Sequence, residues 1–298
     1  MKPTEFDQWC STELDAVESA LAAWVPGDAP AGIGETMRYG VLDGGKRLRP
    51  LLVLATARVV HGERDAALRA ACAVELIHAY SLVHDDMPCM DNDVLRRGKP
   101  TVHVRYGEAQ AMLAGDAMQA LAFEVLTPTS TEGLVAPALQ ARLCGLLARA
   151  AGHAGMAGGQ AIDLASIGKP LSEAQLRDMH HRKTGALLRA SVQMGAACGN
   201  VEGAAWDALS EYGDAIGLAF QVVDDILDVT QASETLGKTA GKDLDNNKPT
   251  YVSVLGLDAA RRHAQTLRDT AHAALARSGL ADVTPLALLA DKVVERDN

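Results

Sequence analysis

The 298-residue sequence has few aromatic residues and few cysteines. Aromatic side chains make up 4% of the chain, and the five cysteines are widely spaced and never form a CxxC pair. An odd, scattered set predicts neither a disulfide framework nor a zinc site, and reduced thiols fit it best. The acidic first residues contain no basic segment followed by an apolar stretch, so we expect no secretory signal, no transit peptide and a cytoplasmic protein.

Positive charge and long apolar runs are also lacking. Lys and Arg number 28 against 38 Asp and Glu, which gives a formal net charge of −10. Such a chain is a poor candidate for binding nucleic acid or anionic membrane surfaces. The run from Leu51 to Val60 is interrupted by Thr56 and Arg58, so we predict no membrane span. The 48% hydrophobic content is nevertheless far too high for a disordered chain.

Helical periodicity dominates the sequence, and no convincing strand or hairpin interrupts it. The predicted helical stretches are 51–61, 66–86, 108–126, 134–151, 173–198, 204–230 and 255–278. No linker separates two regions of different composition, so we predict a single all-α domain over residues 1–298. Small residues occur on several faces of these helices, as expected where central helices are buried all round.

The first of two aspartate clusters lies where the helix 66–86 is expected to end. Asp85, Asp86, Asp91 and Asp93 crowd four carboxylates together, and Pro88 frees Asp91 to fold back toward Asp85. The spacing and the missing glycine exclude an EF-hand, which leaves a solvated acidic loop or a site for a hard cation.

The second cluster lies inside the helix 204–230. Gln221, Asp224 and Asp228 share one helical face, and apolar residues surround them and Asp225. Buried like charges need compensation, either by a metal ion or by arginine side chains. Two such clusters suggest facing helices that clamp Mg²⁺ in the core of a bundle.

Basic residues accompany both aspartate clusters. Lys46 and Arg49 follow a Gly-Gly pair before an apolar helix, which predicts an anion site or a basic surface loop. Further cations follow the first cluster, interrupt the helix 173–198 and occupy a second glycine-lysine loop; they are Arg96, Arg97, Lys183 beside Thr184, Lys238 and Lys248. His78 shares the helical face of Asp85 and is either a core residue or a ligand-binding one.

Metal ions and two basic groups around a cavity imply two diphosphates. No GxxxxGK[ST] loop, kinase glycine loop or Ser-His-Asp order is present, so nucleotide phosphoryl transfer lacks its usual cradle. The remaining use of Mg²⁺ is to make diphosphate a leaving group. An apolar helical cavity would then protect the resulting carbon electrophile from water.

The motifs resemble the trans-isoprenyl diphosphate synthase family, and most closely its bacterial farnesyl diphosphate synthases. The matching segments are GGKRLRP (44–50), ELIHAYSLVHDDMPCMDNDVLRRGKPT (75–101), YGEAQAMLAGDAM (106–118), GMAGGQAIDL (155–164), HRKTGALL (181–188), FQVVDDILDV (220–229) and GKDLDNNKPTYV (241–252). The resemblance implies an isoprenoid-synthase-type helical bundle with a central active-site cavity, acting as a homodimer. It also implies about three Mg²⁺ ions per site, bound by carboxylate oxygens.

The resemblance assigns roles residue by residue. The metal ions would be bound by Asp85, Asp91 and Asp224, supported by Asp86, Asp225 and Asp228. The allylic substrate, dimethylallyl or geranyl diphosphate, would contact Arg96, Lys183, Gln221 and Lys238, with Lys248 as a further candidate. Isopentenyl diphosphate would contact Lys46, Arg49, His78 and Arg97. Oxygens of Thr184 and Gln221 would stabilise the allylic cation.

Chain length would be set on the helix that carries Asp85. In the family, bulky residues four or five positions before the first aspartate form the pocket floor, and here Tyr80 is bulky whereas Ser81 is small. This pattern favours (2E,6E)-farnesyl diphosphate synthase, with geranylgeranyl diphosphate synthase as the alternative. Tyr80 as an ordinary core residue is the other interpretation of the position. A class I terpene cyclase and a regulatory synthase subunit are weaker alternatives, because the second basic loop and both aspartate clusters are intact.

Overall fold

The computed structural model describes residues 2–42, 44–129, 135–169, 171–230 and 250–296, and these ranges are predominantly helical. The helices of the first half are α1 (Pro3–Trp24), α2 (Ile33–Val41), α3 (Leu48–Val59), α4 (Arg64–Asp85), α5 (Val102–Tyr106), α6 (Glu108–Leu126) and α7 (Pro137–Ala151). The second half contains α8 (Met156–Ala165), α9 (Glu173–His180), α10 (Ala186–Cys198), α11 (Gly203–Thr230), α12 (Tyr251–Leu255), α13 (Leu257–Arg277) and α14 (Thr284–Val294). The all-α prediction is confirmed.

Several local predictions need correction. A short antiparallel hairpin joins β1 (Leu95–Arg96) to β2 (Lys99–Pro100), where no strand was expected. Its turn forms because Arg97 and Gly98 both adopt positive φ, at 52° and 73°. The predicted stretch 173–198 is divided by a π-helical segment, His181–Gly185, which lies where the Lys-Thr-Gly interruption was predicted.

Six of the described helices lie largely outside the predicted stretches: α1, α2, α5, α8, α12 and α14. Prolines open α1 and α14, glycines occupy several positions of α2 and α8, and α5 and α12 are only five residues long, so each resembles a turn or loop in the sequence. Packing against neighbouring helices supplies the stability that local propensity does not.

The core has two parts, each centred on one long helix. The middle of α4 is buried nearly all round, and it packs on α3, α6 and α10. The second part surrounds α11, which packs on α10 and α13. The C-terminal halves of α4 and α11 carry the two aspartate clusters, so this arrangement brings both clusters toward one space.

Helix α4 also has the length and hydropathy of a membrane span, the one described helix to meet that test. However, 72% of its most apolar window is buried inside the protein, which is typical of a core helix. No other helix in the described ranges passes the same test.

Close approach of α3 and α10 depends on Gly195. A Cβ atom at this position would lie 2.4 Å from the carbonyl oxygen of Val53 and 2.7 Å from Cβ of Thr56. Neither neighbour is the flexible end of a side chain, so the two helices would have to separate.

Gly195→Ala should lower the free energy of unfolding by about 1–3 kcal/mol, because overpacking outweighs the gain in helix propensity. Gly145→Ala on α7 is the matched control, since its Cβ would meet only the Arg149 side chain, at 3.4 Å or more. That variant should be neutral or gain up to ~1 kcal/mol. Urea titration measures both, and equal stability of the two variants would contradict the close-approach argument.

Candidate active site

A cavity of about 620 Å³ opens between the basic loop before α3, the end of α4, the hairpin and the second half of α11. Side chains from all four segments line it, together with Thr184 of the π-helical segment. The basic and acidic residues lining it are Lys46, Arg47, Arg49, Glu75, His78, Asp93, Arg96, Arg97 and Asp224. Charges of both signs therefore face one enclosed space.

The first aspartate cluster begins where α4 ends. The backbone N–H of Asp91 donates to the carbonyl of Asp85 at 2.8 Å, so the chain folds back as Pro88 predicted. Burial raises the pKa of Asp85 to about 6, and the negative charge of Asp91 acts in the same direction. The positive charge of Lys183 opposes the shift. A carboxylate with a raised pKa beside a second one is a site that a cation would stabilise.

Asp86 points away from that pair. Its carboxylate is 3% exposed and accepts hydrogen bonds from Nε of Arg96 at 2.9 and 3.0 Å and from Nη2 at 2.6 Å. This two-pronged contact fixes the hairpin that carries Arg96 to the end of α4. Support of a metal ion by Asp86 stays a prediction, whereas its ion pair with Arg96 is part of the structure.

In the second cluster, Asp224 faces the cavity and contacts an arginine from the end of the chain. Nη2 of Arg296 lies 2.6 Å from Oδ1 of Asp224 and donates to the carbonyl of Phe220 at 2.7 Å. The guanidinium also stacks over the Phe220 ring at 4.0 Å, and its side chain is 9% exposed. The sequence left open whether a metal ion or arginine side chains compensate the buried negative charge, and at Asp224 the structure shows an arginine.

Asp225 makes contacts that organise the site. It is 3% exposed, and it accepts hydrogen bonds from Nε2 of Gln221 at 2.8 Å and from the backbone N–H of Tyr251 at 2.7 Å. The hydroxyl of Thr184 donates to Oε1 of Gln221 at 3.0 Å. One hydrogen-bonded chain therefore connects the π-helical segment, α11 and the start of α12. Asp228 lies one turn further along α11 and is also buried.

The basic loop and the hairpin meet at the opposite side of the cavity. Nη1 of Arg97 donates to the carbonyl of Gly44 at 2.5 Å, and a Cβ on Gly45 would collide with the same guanidinium. Glycine at position 45 thus allows Arg97 to lie directly on the loop beside the exposed Lys46.

Arg49 and His78 lie deeper in the cavity. Burial lowers the pKa of both side chains, and the neighbouring arginines lower that of His78 further. His78 is therefore a neutral imidazole at neutral pH. Nε of the buried Arg49 has no hydrogen-bond partner within the described ranges.

Arg47 has a structural role instead. Its guanidinium is 3% exposed and forms ion pairs of 2.6 Å with both Glu18 and Glu75. It therefore connects α1 and α4 to the basic loop.

Lys183 is paired with Asp163 of α8 at 2.5 Å, a partner that the sequence analysis did not propose. Neither this pair nor that of Arg296 with Asp224 carried a signal in the sequence spacing. Lys238 and Lys248 lie outside the described residues.

The two chain-length candidates lie on α4 as expected. Tyr80 is half-buried, and its ring packs edge-on against His84 with the centroids 5.7 Å apart. The hydroxyl of Ser81 donates to the carbonyl of His78 at 2.8 Å, so its proton is already used in a hydrogen bond within α4.

The residues present fit divalent cations without forming a ready-made cluster. Nowhere in the described ranges do three or more Asp, Glu, His or Cys side chains gather as a metal site. The donor set nevertheless consists of hard oxygen ligands, which suit Mg²⁺. Arg296 on Asp224 and Lys183 near Asp85 supply positive charge at the two places where a metal ion would.

Known proteins resemble this chain over nearly its whole length. The polyprenyl synthetase family model matches residues 30–280. The heterodimeric geranylgeranyl pyrophosphate synthase large subunit 1 of Arabidopsis thaliana, a chloroplastic protein, is 45% identical over 100% of this chain and 81% of its own length.

Two solved structures share the fold. An FPP/GFPP synthase from Zymomonas mobilis has a TM-score of 0.86 at 40% identity, covering 98% of this chain and 99% of its own. A geranyltransferase from Helicobacter pylori, complexed with magnesium and isoprenyl diphosphate, has a TM-score of 0.83 at 34% identity, covering 99% of this chain and 97% of its own.

The prediction of a cytoplasmic location is wrong by this comparison. The Arabidopsis relative is chloroplastic, as are geranylgeranyl pyrophosphate synthases of Catharanthus roseus and Capsicum annuum at 44% and 45% identity. The prediction relied on the composition of the first residues alone.

The sequence motifs, the helical fold and the charged residues that line the cavity all indicate the same family. The chain belongs to the polyprenyl synthetase family, the trans-isoprenyl diphosphate synthases.

Proposed function

We propose that this prenyltransferase condenses isopentenyl diphosphate with allylic diphosphates and that its main product is geranylgeranyl diphosphate (C20). The observation that carries the reaction is one cavity lined by Asp93 and Asp224, one carboxylate from each aspartate cluster, together with the basic residues Lys46, Arg49 and Arg97. Two separate groups of charge suit two diphosphates. The C20 product is supported by the curated relatives of 44–46% identity, which are geranylgeranyl diphosphate synthases. They favour it over the C15 product that the sequence pattern suggested.

Asp85, Asp91 and Asp224 are the residues that we propose as Mg²⁺ ligands. When bound, Mg²⁺ neutralises the allylic diphosphate and makes it a leaving group. The chain itself contributes Arg96 and Lys183, whose positive charges face the same region and stabilise the negative charge that develops as the diphosphate departs. Asp86 contributes by fixing Arg96.

Isopentenyl diphosphate would be bound by Lys46, Arg49 and Arg97. The neutral His78 can donate one hydrogen bond to this anion without repelling the neighbouring guanidinium groups. Oxygen atoms of Thr184 and Gln221 lie beside the second aspartate cluster and would stabilise the allylic cation. The double bond of isopentenyl diphosphate attacks that cation, and the proton then lost passes to the released diphosphate.

A homodimer is a further part of the proposal. Apolar side chains of α5 and α6 are exposed to solvent, with Val104 50%, Met112 40% and Leu113 54% exposed. A second copy of the chain could cover this face. The assembly named for the Arabidopsis relative is a heterodimer, so a different synthase subunit is the competing partner.

The second candidate function is farnesyl diphosphate synthesis, favoured by Tyr80. Its ring is bulky, half-buried and in contact with His84, and it is not among the residues that line the cavity. The Zymomonas mobilis neighbour is an FPP/GFPP synthase, so chains of this fold serve more than one product length.

Incubation of the purified protein with Mg²⁺, isopentenyl diphosphate and dimethylallyl diphosphate should give a dominant C20 product. Chromatography of the dephosphorylated alcohols measures it. A dominant C15 alcohol would support the second candidate instead. Formation of a hydrocarbon from farnesyl diphosphate alone would indicate a terpene cyclase, and absence of any condensation would indicate a regulatory subunit.

Tyr80→Ala should lengthen the main product by at least one C5 unit, because removing the ring deepens the pocket. Tyr80→Phe is the matched control: it preserves the ring and should preserve the product. The same chromatographic assay compares the two variants. An unchanged product in Tyr80→Ala would mean that Tyr80 is an ordinary core residue.

Arg296→Gln should bind Mg²⁺ more tightly, because Asp224 would no longer be paired with a competing cation. We expect a gain on the order of tenfold, equivalent to ~1.4 kcal/mol for one charge-assisted hydrogen bond. Calorimetric titration of Mg²⁺ in the presence of inorganic diphosphate measures it. Arg268→Gln is the control, since Arg268 pairs with Asp269 and Glu295 near the same end of the chain. Equal or weaker affinity in Arg296→Gln would contradict the competition.

A further inference from the structure

The segment GMAGGQAIDL (155–164) has no role in the chemistry described so far. It forms most of α8, which packs on the π-helical segment and on α9. The π-helical segment contains Lys183, the lysine proposed to contact the allylic diphosphate. Helix α8 contacts this lysine at two points, its backbone and its ammonium group.

Gly159 determines the backbone contact. A Cβ at this position would lie 2.2 Å from the backbone nitrogen of Lys183 and 2.5 Å from its Cα. Only a residue without a side chain lets α8 lie this close to the backbone of Lys183. The position of the Lys183 backbone is therefore set by direct packing on α8.

Asp163 determines the position of the ammonium group. It lies one turn beyond Gly159 on the same face of α8, and its Oδ2 is 2.5 Å from Nζ of Lys183. The Asp163 side chain is 7% exposed and that of Lys183 25%. A carboxylate this buried is strongly destabilised without a cationic partner, so it keeps the ammonium group beside it.

The need for such a contact follows from the chemistry of lysine. Its side chain has four rotatable bonds and loses rotamer entropy when it is fixed in one place. If Asp163 already holds the side chain in place in the folded protein, substrate binding does not have to order it. The positive charge of Lys183 also opposes the raised pKa of Asp85, which belongs to the first aspartate cluster.

We propose that α8 is a positioning element for Lys183, with Gly159 fixing its backbone and Asp163 orienting its ammonium group toward the allylic diphosphate. Asp163 acts through Lys183 and does not itself touch the substrate. This inference rests on the proposed function, and it predicts an effect confined to one of the two substrates.

Asp163→Asn tests the proposal, because asparagine preserves the shape and removes the charge. The KM for geranyl diphosphate should rise on the order of tenfold, as expected when a charged group is displaced by about 1 Å. The KM for isopentenyl diphosphate should stay within about twofold of the wild-type value. Asp163→Glu, which retains the charge, should recover part of the loss.

Asp178→Asn is the matched control. Asp178 pairs with Arg182, the residue next to Lys183, at 3.0 Å, and both side chains are exposed. It therefore removes a carboxylate from the same neighbourhood without changing the partner of Lys183. Both KM values of this variant should match the wild type.

A double-mutant cycle with Lys183→Gln distinguishes positioning from a general structural role. If Asp163 acts through Lys183, Asp163→Asn should have almost no further effect in the Lys183→Gln background. Full additivity of the two substitutions, or an equal rise of both KM values, would overturn the proposal.

A binding measurement keeps the test independent of turnover. The calorimetric affinity for inorganic diphosphate with Mg²⁺ should fall in Asp163→Asn and not in Asp178→Asn, and thermal unfolding confirms that each variant is folded. An unchanged diphosphate affinity in folded Asp163→Asn would refute positioning even if condensation activity changed. Failure of the wild-type protein to condense substrates would refute the proposed function instead.

Discussion

Compensation of buried negative charge is the constraint on which the rest of the site depends. Aspartates are gathered at the ends of two helices that are otherwise among the most buried in the protein. Water stabilises such carboxylates poorly, so each needs hydrogen-bond donors or a cation within the fold, or a cation from outside. In the described part of the chain, Asp86, Asp163 and Asp224 each have a basic partner, and each partner belongs to a different segment.

The pairs divide into two kinds. Arg96 on Asp86 and Arg47 on Glu75 fix loops to helices, and both carboxylates are only 3% exposed. Arg296 on Asp224 differs, because that carboxylate is 37% exposed and borders the cavity. A metal ion that binds through Oδ1 of Asp224 would have to compete with the arginine for that oxygen.

Much of the fold and part of the site could be predicted from the sequence. The long helices of the core were found because they are rich in the helix formers Ala and Leu, and the fold-back of Asp91 was predicted because a proline excludes helical geometry before it. The hairpin was missed because its strands are two residues long and its turn depends on positive φ at Arg97. The helices α1, α2, α5, α8, α12 and α14 were missed because they are short or contain Pro and Gly, and packing against neighbouring helices makes them stable.

The sequence by itself determined the helical class, the two aspartate clusters and the basic segments, because periodicity and residue type are local properties. Only the tertiary structure decided which charge meets which. Asp86 and Arg96 are 10 residues apart, Asp163 and Lys183 are 20 apart, and Asp224 and Arg296 are 72 apart. No spacing rule connects such pairs, since the packing of α4, α8 and α11 against their neighbours brings them together. The same packing decides whether Tyr80 closes the pocket, because a floor is defined by every helix that surrounds it.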